Sequence, residues 1–183
     1  MILLICLLTL PFVTQANSGI TEDFGIKANV LWPFYPGGKY RITVRKALNS
    51  SKDFRTEGHL GLSVQTPVNR DTEGKWSEQA VLLGFRQYFA SPFLFELVTG
   101  IGQSKLENHV TTGLDYEATA VEVHLSFGYE WMLSKNWSMD VQAGAAKVLS
   151  KSEDWPVFKD SSLTEEVDEE VIPTGAIHIT YWF

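Results

Sequence analysis

Cysteine is almost missing from this chain: among 183 residues there is one, Cys6. From residue 7 onward no thiol is available, so a disulfide scaffold and a thiolate-bound metal are both excluded. Long apolar runs are missing too. The most apolar stretch, Ile2 to Leu10, is shorter than the ~20 residues a membrane-spanning helix needs, and nothing later approaches that length. Positive charge is in deficit, with 15 Lys and Arg against 22 Asp and Glu and a net charge of −7, which argues against nucleic acid as a partner. There is no Gly-rich phosphate loop, nucleotide fingerprint or zinc-protease helix. Neither a cofactor nor a metal is expected.

The first eighteen residues carry no charged side chain, and Pro11 separates an apolar stretch from a small and polar one. This pattern is that of a secretory signal peptide, residues 1–18, with Thr14 and Ala16 placing cleavage after Ala16 or, alternatively, after Ser18. Cys6 stands too early in it to serve as a lipoprotein acceptor. Residues 19–183, about 165 in all, then form one domain. Without disulfides such a domain must stabilise itself by burial or by closing a sheet.

What the rest of the chain has is alternation. In the last thirteen residues, Ile177, Ile179, Tyr181 and Phe183 fall at every second position, with Thr174, Ala176, His178 and Thr180 between them. A period of two separates the two sets onto opposite faces of a strand. The same pattern recurs upstream. Strands are predicted from Phe24 to Trp32, from Tyr40 to Leu48, around Leu60–Val64, from Val81 to Phe89, from Phe93 to Ile101, from Val121 to Trp131 and from Trp137 to Ala145. Polar connections are expected at 49–57, 67–78, 103–117 and 151–170, and tight turns at 33–38, 90–92 and 134–136. The 49–57 connection is the odd one, because it is long where a tight turn should stand.

One face of these strands is Phe, Ile, Val, Leu, Ala, Tyr, Trp and Met almost throughout, with Gln87 and Thr99 its main polar members. The other face carries Lys27, Arg41, Arg45 and Arg86 against Glu96, Glu122, Glu130 and Asp140. An eight-stranded barrel has an interior just wide enough for side chains. The apolar set is too bulky for that interior, so the balanced charges belong inside as a paired network and the apolar face belongs in lipid. The fold class predicted is therefore all-β: an eight-stranded antiparallel up-and-down transmembrane β-barrel.

On strand number, alternation and the terminal Tyr181-Trp-Phe183, the chain resembles the small eight-stranded bacterial outer-membrane barrels of the OmpX/Ail-like or OmpW-like group. The resemblance implies a cell outer membrane location and contact with outer-membrane lipid and lipopolysaccharide. It implies that the closing strand, with Tyr181 and Phe183, is the signal read by the barrel-assembly machinery. It further implies a non-enzymatic role in membrane integrity, with external loops that meet an extracellular ligand. A narrow channel for small molecules is the alternative that the OmpW-like likeness suggests.

Three constellations bear on chemistry. His124 and Ser126 share the inward face, flanked by Glu122 and Glu130. The spacing resembles the His-x-Ser of PagL-type lipid A deacylases, which would make Ser126 the nucleophile, His124 the base and Glu122 the orienting acid. The asparagine that follows the serine in that family is replaced here by Phe127, and the pair points into the lumen, away from lipid acyl chains, so an interior hydrogen-bond network is the favoured explanation. His124 and His178 with Glu122 could ligate a metal only across an intervening strand. His59 and His109 read as ordinary polar residues in or near connections. The 151–170 loop carries eight acidic residues against two lysines and is expected to be solvated, without the spacing of a calcium loop.

Overall fold

The computed structural model describes residues 24–31, 39–51, 54–70, 74–89, 92–151 and 171–183. The expected signal peptide and nearly all of the acidic 151–170 loop lie outside the described residues. Eight strands follow in chain order: β1 (Phe24–Asn29), β2 (Lys39–Ser51), β3 (Phe54–Arg70), β4 (Gly74–Phe89), β5 (Phe93–Glu107), β6 (Tyr116–Met132), β7 (Trp137–Lys151) and β8 (Ile172–Trp182). Each pairs antiparallel with its sequence neighbours, and β1 pairs with β8 to close the barrel.

The alternation divides inside from outside as the sequence predicts. Leu62, Leu83 and Phe127 point outward and are 60–66% exposed, while Arg45, Arg86, Glu57 and Asp140 point inward and are completely buried. Such a distribution is the inverse of a water-soluble barrel. Water outside would leave a continuous apolar belt solvated and charges needlessly desolvated. Hydrocarbon outside removes both penalties, and closure leaves no unpaired sheet edge within the belt. The protein is an eight-stranded transmembrane β-barrel.

The two ends differ. At the end that carries Phe183, the chain passes between strands through residues 52–53, 90–92 and 133–136, and this is the turn end. The opposite, loop end has the longer connections 30–38, 108–115 and 152–171, and a short one at 71–73. Outward aromatic contacts gather at the turn end. Phe93 meets Tyr129 at 5.2 Å between centroids and Tyr129 meets Trp131 at 4.7 Å. Trp137, Tyr181, Phe183 and Phe24 continue the band. Rings with an apolar body suit the boundary between hydrocarbon and headgroups.

Three expected connections are corrected. Most of 49–57 is strand, leaving only residues 52–53 between Ser51 and Phe54, so the apparent long turn disappears. Its polarity reflects inward-pointing Arg55 and Glu57, both buried in the lumen. Most of 67–78 is also strand, since β3 runs to Arg70 and β4 begins at Gly74. The 103–117 connection shrinks to 108–115. In these last two segments the strands have risen beyond the apolar belt, so the outward face turns polar and the expected alternation is lost, while Trp76, Leu106, Tyr116 and Ala118 pack together inside. β3 to β6 are 15–17 residues long, against the ~9–11 that a tilted crossing requires. They project from the membrane at the loop end.

The lumen is not polar throughout. Ala80, Leu82 and Val98 form a buried apolar cluster inside it, which the charged inward positions on neighbouring rungs obscure in the sequence. Two inward glycines are demanded by close strand approach. A Cβ on Gly144 would lie 2.0 Å from the Leu125 carbonyl oxygen, and one on Gly61 would lie 2.5 Å from that of Ile42.

Candidate functional site

The turn half of the lumen is filled by one continuous set of charges. Arg45, from the middle of β2, is its hub. Its Nε and Nη2 donate to Glu57 Oε2 at 2.9 and 2.6 Å. Nη1 donates to Glu130 Oε1 at 3.0 Å and to Thr180 Oγ1 at 2.7 Å. Arg45 also donates to the Tyr88 hydroxyl, which in turn donates to Glu130. Arg86 on β4 is the second hub, reaching Glu96 at 2.7 Å, Glu130 at 3.1 Å and Asp140 at 3.2 Å. Lys27 from β1 donates to both oxygens of Glu96, at 3.0 and 2.8 Å. Asp140 is further held by His178 at 2.8 Å and by Gln142 at 2.6 Å.

Below the hub, the set is closed by an aromatic lid. Trp182 is inward and fully buried. Its ring lies under two guanidinium groups, 4.4 Å from Arg45 and 4.8 Å from Arg55, and its Nε1 donates to Ser138 Oγ at 2.9 Å. Arg55 also donates to Glu57 at 2.6 Å. Four cations (Lys27, Arg45, Arg55, Arg86) thus face four carboxylates (Glu57, Glu96, Glu130, Asp140). Buried charges are tolerable only when paired and hydrogen-bonded in this way, and planar guanidinium forks suit the sharing of one cation among several carboxylates.

Of the lumenal charges expected from sequence, Lys27, Arg45, Arg86, Glu96, Glu130 and Asp140 come together here. Arg41 and Glu122 lie on the loop-end side of this network. Arg41 sits two rungs beyond Arg45 toward the loop end, and Glu122 faces His124 at 3.0 Å. Sequence reasoning missed Arg55, Glu57, His59, Tyr88 as a hydrogen-bond partner, and Trp182. Extending the β3 alternation back from Leu60 would have turned Glu57 and His59 inward. His59 is corrected accordingly: it is buried on β3, with ring nitrogens 3.5 Å from Glu96 and 3.6 Å from Glu57. His109 is in a connection as expected, but buried, with Nδ1 3.0 Å from Thr112 Oγ1 and its ring edge-on to Tyr116.

The His-x-Ser pair lies just above the network. His124 and Ser126 line a small cavity of about 20 Å³ with Arg41, Val98, Gln142 and Thr174, space for about one water. The Ser126 hydroxyl donates to Gln142 Oε1 at 2.7 Å rather than to His124, whose Nε2 faces Glu122. His124 and His178 both border this cavity, but each is held by its own carboxylate, Glu122 at 3.0 Å and Asp140 at 2.8 Å. Among the described residues no group of three or more His, Cys, Asp or Glu stands in position to hold a metal.

The model of a family described as "Protein of unknown function (DUF3575)" matches residues 2–183. The chain belongs to this family. No curated protein matches it in sequence. Among solved structures it is similar to the backbone structure of the Yersinia pestis outer membrane protein Ail in a phospholipid bilayer nanodisc, at a TM-score of 0.44 and 10% identity, over 88% of this chain and 99% of that one. The barrel assignment made above rests on strand pairing and not on that likeness.

In this DUF3575 barrel the arrangement described is chemically a plug. Every hub atom is committed to a partner inside the lumen, Trp182 and Ser138 cover the network from the turn end, and the cavity above it is water-sized. Nothing in the cluster presents an exposed nucleophile or a cradle for a substrate. Its physical effect is to tie six of the eight strands, β1, β2, β3, β4, β5 and β6, to β7 and β8 through the core.

Proposed function

We propose that this protein is a non-enzymatic barrel of the bacterial outer membrane, that its lumen is sealed, and that its work is done at its surfaces. The observation that carries the reading is the plug: four cations and four carboxylates fully paired beneath a Trp182 lid. A conducting pore requires a continuous hydrated path, which such a network interrupts. The turn end, with its aromatic band and Phe183, faces the periplasm, as short turns do in this class of barrel. The loop end then faces outward, and the projecting β3–β6 wall presents the surface that meets an extracellular ligand. The membrane partners are outer-membrane lipid and lipopolysaccharide, and β8 with Tyr181 and Phe183 supplies the assembly signal.

Planar-bilayer recording of the purified barrel tests the sealed lumen. Resolved conductance steps would overturn it and make the small-molecule channel the better reading. The lipid A deacylase reading is disfavoured by the Ser126 hydroxyl pointing to Gln142. Lipid A profiles from cells with the protein, without it, and with Ser126→Ala are expected to be identical. Deacylated lipid A present only with the intact serine would establish the enzyme instead.

A further inference from the structure

The lipid-facing surface is not a uniform belt. Over β2, β3, β4 and β5 it carries a groove of about 620 Å³, floored by Gly58 and walled by Val44, Leu48 and Leu60 on one side and Phe85 and Leu97 on the other. Its lip toward the turn end is formed by Phe24 and Lys46. Two features explain the groove's existence. Gly58 is an outward position, and a Cβ added there would meet only Leu48 side-chain atoms at 3.5–3.7 Å, which is ordinary contact. Unlike Gly61 or Gly144, it is therefore not required by backbone crowding. Beside it, the β2–β3 register shifts between Ala47 and Asn49, which leaves Leu48 as the extra residue of a bulge. That residue leans over the gap and forms its wall. Bulges characteristically re-aim a side chain in this way.

Lys46 supplies the second observation. It points outward, pairs with Gly58 across the strands, and stands at the level of the turn-end aromatic band, where its Nζ lies 5.2 Å from the Phe24 ring centroid. No carboxylate faces it among the described residues. A cation on the lipid face is stable where its stem lies along apolar surface and its head reaches the headgroup layer. An apolar trough ending at an unneutralised cation complements an anionic headgroup carrying an acyl chain.

We propose that the groove is a specific site for one phospholipid of the turn-end leaflet. One acyl chain lies over Gly58 between Leu48 and Phe85, and the lipid's phosphate sits at Lys46. The assignment of that leaflet to the periplasmic side rests on the orientation given above; the site itself does not.

Native mass spectrometry of the full refolded barrel in detergent tests this, with phosphatidylglycerol and phosphatidylcholine of identical chains as probes. A single-lipid adduct is expected, with the anionic lipid retained about fivefold better, the effect of one interfacial cation. Lys46→Gln removes that preference. Gly58→Leu, which fills the groove, lowers retention of both lipids about tenfold. Val44→Trp fills it from a wall instead of the floor and serves if Gly58→Leu does not fold, as judged by the mobility difference between boiled and unboiled samples. Unchanged retention in a folded groove-filling variant overturns the proposal. So does an anionic preference that survives Lys46→Gln, or a dimer whose formation Gly58→Leu abolishes while lipid adducts persist.

Discussion

Arg45 and Glu57 form a twofold hydrogen-bonded pair across β2 and β3, with Nε and Nη2 both on Oε2 and no solvent at either side chain. Removing the guanidinium leaves Glu57 with Arg55 alone and Glu130 with Arg86 alone, so the buried network is one cation short. Arg45→Ala is expected to lower unfolding stability by about 3–5 kcal/mol, read from urea titration of the barrel in lipid vesicles. Arg45→Lys is expected to recover little of this. An ammonium cannot donate in parallel to one carboxylate while also reaching Glu130, Thr180 and Tyr88 and lying over the Trp182 ring. Full recovery by lysine would mean that charge alone, and not the fork geometry, holds the hub.

Trp182 closes the network from the turn end, so its removal separates sealing from charge pairing. Trp182→Ala deletes a fully buried side chain and two cation–π contacts, at an expected cost of about 3–5 kcal/mol. In vesicles loaded with a self-quenched ionic dye, the variant that still folds is expected to leak faster than the parent. Equal leakage would place the seal in the Arg45–Glu57–Glu130 layer itself.

Two glycines should respond oppositely to the same methyl group. Gly144→Ala forces a Cβ to 2.0 Å from the Leu125 carbonyl oxygen, so β6 and β7 must separate locally. Overpacking of this kind costs about 1–3 kcal/mol or more. Gly58→Ala meets only ordinary side-chain contact and, as an outward substitution, should stay within about 0.5 kcal/mol of the parent. Comparison of the two unfolding midpoints checks both statements at once.

The strand number, the closure and the sorting of faces were all legible in the sequence because the side-chain period of a strand is two and the two solvents differ. Legibility failed where that contrast fails. From the loop-end edge of the belt onward, Ser77, Gln79, Gln103 and Lys105 point outward into water, so strand and loop have the same composition there. At the turn end, Arg55 and Glu57 looked like loop residues because two lumenal charges close to a turn give the same local pattern as a solvated connection. The partners of Arg45 were not legible at all. Glu57, Glu130, Tyr88 and Thr180 come from four different strands, and only the stagger of the closed sheet decides which rungs meet. Trp182 was hidden by its neighbours: Tyr181 and Phe183 drew the terminal aromatics outward, yet the intervening position must face the lumen.

The identity of the outer solvent can be tested at single positions. Leu62 lies outward near the middle of the β3 apolar stripe and is 60% exposed. Gln79 is also outward and exposed, but at the loop-end edge of the belt on β4, opposite Val64, where it donates to Gln103 at 3.3 Å. If hydrocarbon surrounds the belt, Leu62→Arg should destabilise the folded barrel by about 2–4 kcal/mol and Gln79→Arg by no more than about 1 kcal/mol. If water surrounded it, replacing an exposed leucine by arginine would be close to neutral, and the two variants would behave alike. Unfolding titrations of both in vesicles therefore read the solvent directly. A matched pair of small effects would overturn the transmembrane assignment, and with it the lipid site at Gly58 and Lys46. A large difference would fix the height of the belt on β3 and β4, and the same scan along β2 would then show whether Lys46 stands at its turn-end edge.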